Sequence, residues 1–143
     1  MRDDPVRVLS AALLVLLALP SRGTAAAPAP VRVELAPEAA LRAGSHAAIE
    51  VIVELPAGSD APLLITPSAD GESVEVVRGR LSRSDAKPVA GDAGDARIRL
   101  RFEVPVLAKS EGTAILSVDV MTYVCARTCQ RVVLRASQVL RVR

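Results

Sequence analysis

Cys125 and Cys129 are the two cysteines of the chain, and with one histidine, one tyrosine, one phenylalanine and no tryptophan they leave few side chains able to do chemistry. They are separated by Ala126, Arg127 and Thr128, at the junction of two strand-like runs, 116–124 and 131–134. Three intervening residues suit a hairpin loop. In that geometry the two Cβ atoms face each other across the hairpin mouth, close enough to bond. What such a bond would do divides three ways. As a passive clip shaping the hairpin of a non-catalytic β-sandwich that binds another protein, closing a five-residue loop is worth about 2 kcal/mol, against ~3 kcal/mol for a fifteen-residue loop. As a thiol-disulfide exchange site it has a suitable surround, because Arg127 lies in the loop, Arg131 just beyond it, and no Asp or Glu follows Cys125. Neighbouring cations lower a thiol pKa and favour the thiolate that exchange requires. As a metal site, two thiolates with His46 would select Cu(I), since soft ligands do. Tyr123 alternates onto the same strand face as Cys125, where its ring would shield the sulfur or simply pack at a sheet edge.

Other chemistry is poorly supplied. A Ser-His-Asp triad would have to use His46, and there is no Gly-x-Ser-x-Gly elbow. A glycine-rich phosphate loop is also missing, so no cofactor is expected, and His46 has no second histidine with which to build a zinc or facial-triad site, so no resident metal is expected and Cu(I) would be cargo. The formal charge of +2 is too small for charge-driven nucleic-acid binding. Arg97, Arg99 and Arg101 form a basic stripe without aromatic residues to stack bases, and read as a solvated face that blunts edge pairing.

The elements that must position the cysteines are strands. Apolar residues recur with period two from Val31 onward: Val31, Val33 and Leu35; Ile49, Val51, Val53 and Leu55; Ile98, Leu100, Phe102 and Val104; Leu116, Val118 and Val120. Shorter runs fall at 63–66, 74–78, 131–134 and 138–142. Pro105 is expected to end its strand, residues 37–41 to make one helical turn, and residues 79–95 to form a long polar, mobile loop. Strands without intervening long helices argue for an all-β, immunoglobulin-like antiparallel sandwich of seven or eight strands. Tyr123, two residues before Cys125, also fits the tyrosine corner of such a sandwich.

The first 27 residues read as an export signal. Arg2 and Arg7 precede twelve apolar or small residues at 8–19, too short to span a bilayer, and Ala25-Ala26-Ala27 offers a cleavage site. The expected product is a single domain over 28–143, periplasmic or secreted, monomeric and without a membrane span, in a compartment that permits disulfides.

The order of features resembles the periplasmic N-terminal domain of the thiol:disulfide interchange protein DsbD. The resemblance rests on an early strand, the turn Leu41-Arg42-Ala43-Gly44, a strand ending in Leu55-Pro56-Ala57-Gly58, and the late Tyr123-x-Cys125…Cys129 hairpin. It implies an immunoglobulin-like sandwich whose hairpin disulfide accepts electrons from a membrane partner and passes them to oxidised periplasmic proteins. Cys125 and Cys129 would be the active pair, and thioredoxin-like or membrane redox proteins the partners. The family's loop between the cysteines is usually longer. Its disulfide is also covered by a cap loop bearing an aromatic residue; the corresponding stretch here, 68–72, has Asp70 and Glu72 instead.

Overall fold

The computed structural model describes residues 31–36, 40–89 and 96–143. The export signal expected at 1–27 and the start of the turn expected at 37–41 lie outside the described residues. Leu41 itself is buried, and bridges Val142 in parallel fashion.

Two antiparallel sheets enclose one apolar core. The first joins β1 (Arg32–Leu35), β2 (His46–Pro56), β7 (Arg97–Ala108) and β4 (Val74–Val76) in that order, with β6 (Lys87–Pro88) also on β7. The second has the order β5 (Leu81–Ser82), β3 (Leu63–Asp70), β8 (Gly112–Cys125), β9 (Cys129–Val142). The immunoglobulin-like, all-β architecture is therefore as the alternating pattern predicts. Its cause is visible along β8, where Ala114, Leu116, Val118, Val120 and Thr122 are buried while the residues between them face outward. Phe102, on β7, is fully buried at the centre.

Nine strands stand among the described residues, where seven or eight are expected. Residues 131–134 and 138–142 are not two strands but parts of one, because Ala136 and Gln138 keep the register with β8 unbroken from Cys125↔Cys129 to Gly112↔Val142. Pro105 does not end its strand. It lies within β7 opposite Ala48, and its carbonyl accepts the Val77 amide at 2.9 Å on the β4 side. A residue's N and C=O point the same way across a strand, so the missing N–H faces the end of the three-residue β4 and costs the β2–β7 ladder nothing.

Residues 79–89 likewise hold structure rather than a polar loop: β5, a 3-10 turn at Arg83–Asp85, and β6, with Leu81 buried. The turn is fixed by Asp85, which accepts the Ser82 amide at 2.8 Å and the Arg78 guanidinium at 2.8 and 3.1 Å. The Ser82 amide and the arginine hold the Asp85 carboxyl below its usual pKa. Residues 90–95 are outside the described set. The arginine stripe does not blunt an edge, because β7 is an interior strand. Arg99 meets Glu54 at 3.2 Å and Arg101 meets Glu50 at 3.8 Å across the β2–β7 pair. These ion pairs lie over Ile52, which is 9% exposed on the outer face of the sheet.

Candidate functional site

Cys125 and Cys129 are bonded, with a Cα–Cα distance of 4.0 Å. They are the last register pair of the β8–β9 ladder and both are exposed. Ala126 donates to the Thr128 carbonyl at 3.1 Å, closing the loop that carries the exposed Arg127. The bond therefore sits at the tip of a hairpin, outside the core.

Alternation places the supporting residues on the outer face of that hairpin. Tyr123 lies directly opposite Arg131, on the same face as Cys125, and is 37% exposed. No hydrogen bond of its hydroxyl stands among the described residues. Tyr123 is thus not a tyrosine corner, which requires an inward ring with a bonded hydroxyl. The inward position belongs to Thr122, fully buried, whose hydroxyl donates to the Pro62 carbonyl at 2.9 Å. Arg131 reaches back along the face rather than toward the sulfurs, its Nε lying 3.3 Å from Met121 Sδ. Arg127 and Arg131 have no carboxylate in ion-pair range among the described residues.

Beside the bond is a shallow cleft, formed by residues 56–61 on one side and by Tyr123, Val124 and Cys125 on the other. No local pattern sets the Pro56-Ala57-Gly58 turn against the cysteine hairpin. A turn at 56–59 builds the first wall: the Ser59 amide reaches the Pro56 carbonyl at 3.2 Å, and Gly58 adopts φ +75°, a left-handed value that favours glycine. Arg83 then holds the wall from across the β3–β5 side, donating to the Ala61 carbonyl at 3.0 Å and to the Ser59 carbonyl. The available signal was Ser82-Arg83-Ser84-Asp85, a capping-box spacing inside the supposed loop.

Residues 68–72 do not cap the disulfide. Asp70 pairs with Ile115, ten residues before Cys125, about 34 Å away along an extended strand. The stretch equivalent in sequence order stands at the other end of the sandwich. His46 is equally remote. It opens β2 opposite Leu107, whereas the cleft adjoins the far end of β2 at Pro56. The two cysteines and the histidine of the Cu(I) reading are not brought together, and no group of three His, Cys, Asp or Glu side chains able to hold a metal stands among the described residues. No helix among the described residues is long and apolar enough to cross a membrane.

No family model matches the chain, and no curated protein matches it. A solved structure that does is E. coli alpha-2-macroglobulin in its native conformation, determined by cryo-EM, with a TM-score of 0.55 and 16% identity over 80% of this chain. The aligned region is 7% of the macroglobulin chain. At that identity the likeness is one of fold.

Proposed function

We propose that the chain is an exported thiol-disulfide exchange protein acting through Cys125 and Cys129, similar in kind to the N-terminal domain of DsbD. The observation that carries this reading is the placement of the bond. It is exposed at a hairpin tip, outside the core, beside a cleft whose facing wall carries one carboxylate, Asp60, and within a run of chain that has arginines and no carboxylates. A stapling disulfide is expected between distant segments, where loop closure counts most.

In the proposed step a thiolate of a dithiol partner attacks one sulfur of the Cys125–Cys129 bond. A mixed disulfide forms and the other cysteine leaves as a thiolate. The partner's second thiolate then attacks the mixed disulfide, so the partner is oxidised by two electrons and this protein is left as the dithiol. The reduced pair repeats the sequence in the opposite sense on an oxidised substrate protein. Arg127 favours the leaving thiolate electrostatically, and the cleft receives the partner chain flanking its reactive cysteine. Thioredoxin-like or membrane redox proteins of the periplasm are the fitting partners.

The test is the reduction potential of the bond, read by equilibrating the protein with glutathione buffers and counting free thiols. A value near about −200 mV, together with mixed disulfides trapped by single-cysteine variants, supports exchange. A value below about −300 mV makes the bond a structural clip.

A further inference from the structure

We propose that the dithiol partner which reduces this protein attacks Cys125 and not Cys129, its thiolate arriving through the cleft. The inference rests on the exchange reading and adds to it the covalent address of the partner.

Both cysteines are exposed, so exposure does not choose between them. Position does. Cys125 lines the cleft with Tyr123, Val124 and residues 56–61, whereas Cys129 is not part of its lining. Strand order explains the asymmetry. β8 has β9 on one side and β3 on the other, and Leu63 opens β3 opposite Thr122. The chain leading into Leu63 is the cleft wall, so it approaches Cys125 from the side away from Cys129. The disulfide spans from β8 to β9 as the last register pair of the hairpin.

Thiolate attack on a disulfide is in line, with the incoming, attacked and leaving sulfurs in a row, and access decides which sulfur is struck. A thiolate seated in the cleft has Cys125 Sγ in front of it and Cys129 Sγ behind that. The bond from the partner sulfur to Cys125 Sγ forms as the Cys125–Cys129 bond breaks, and the electron pair leaves on Cys129. The partner's second thiolate then attacks the partner sulfur of the mixed disulfide and expels Cys125 as a thiolate. The partner is thereby oxidised by two electrons and this chain reduced by two. Electrostatics favours the same intermediate. Asp60 is the one charged residue of the cleft lining, and a carboxylate disfavours a thiolate beside it. A mixed disulfide on Cys125 places the free thiolate on Cys129, one strand further from Asp60.

The probe is a thioredoxin whose resolving cysteine is replaced by serine, mixed with the oxidised native protein and quenched in acid at the earliest times, before the freed cysteine can shuttle the adduct. Free thiols are blocked with N-ethylmaleimide. Trypsin cuts after Arg127 and puts each cysteine on its own peptide, so mass mapping reads the address directly. The expected result is at least tenfold more mixed disulfide on Cys125 than on Cys129. Ala57→Trp, at an exposed position of the cleft wall, should slow adduct formation at least fivefold with the far-ultraviolet circular dichroism unchanged. Adducts on Cys129, equal adducts on both, or an unslowed Ala57→Trp protein of native circular dichroism would overturn this inference and leave the exchange reading standing. No adduct on either cysteine would overturn both.

Discussion

Asp119 and Arg135 form the bidentate pair on the outer face of the hairpin, and the arginine holds the Asp119 carboxyl below its ordinary pKa. A carboxylate whose folded pKa is depressed contributes stability that is present above its unfolded pKa, near 4, and is lost as pH falls through the folded value. Exposure keeps the contribution small. Asp85 titrates in the same sense, so the pair is isolated by difference. Unfolding midpoints of the native chain and of Asp119→Asn should converge as the pH is lowered below ~4 and separate above it. Thr122 offers a larger effect: Thr122→Val keeps the shape and removes the bond from the buried hydroxyl to the Pro62 carbonyl, for an expected loss of about 1 kcal/mol in urea unfolding. At this scale the cysteine pair and the outward Tyr123 were legible, because two cysteines four apart and a period of two need no tertiary knowledge. The roles of Thr122 and Arg131 were not, since each depends on which atom of another strand lies within reach.

The elements around the disulfide are held in sequence, each fixing the next. Arg78 and the Ser82 amide fix Asp85, the turn at Arg83–Asp85 aims Arg83, and Arg83 holds the carbonyls of residues 59 and 61 that wall the cleft. Arg83→Ala should speed amide exchange at 59–61 and accelerate reduction of the disulfide by dithiothreitol several-fold, with the fold retained. An unchanged reduction rate would mean that the wall does not control access. This arrangement was hidden because residues 79–95 are rich in serine, glycine and charge, the composition of a loop. What orders part of them is one buried leucine, Leu81, and one capping carboxylate. Pro105 misled for a related reason: proline removes a donor from a strand, but its cost depends on which side the donor would have faced, and here that side is the end of β4.

For the whole molecule, the core of Phe102, Leu116, Val118 and Leu140 is fully buried, and an apolar core of this kind supplies most of the drive to fold. Replacing both cysteines by serine should leave the far-ultraviolet circular dichroism unchanged and lower stability by about 2 kcal/mol at most, the entropy of a five-residue loop. A larger loss would mark the bond as structural and count against exchange. The sandwich was readable from alternation alone. Its strand order was not, because pairing of β2 with β7 and of β3 with β8 joins segments far apart in the chain, and no local pattern encodes such partners.

That same contrast bears on how fast the molecule assembles. Long-range pairings must wait for a slow search through chain closure, whereas β8 and β9 are adjacent in sequence and zip from their turn. If this hairpin is formed in the folding transition state, the ~2 kcal/mol of loop entropy falls on the refolding rate, about thirtyfold between oxidised and reduced chains, and hardly at all on the unfolding rate. Stopped-flow refolding of the two forms would show it. A protein that cycles its hairpin bond would then alternate between a quick and a slow refolder, and its time in the reduced state would be its time of greatest exposure to proteolysis.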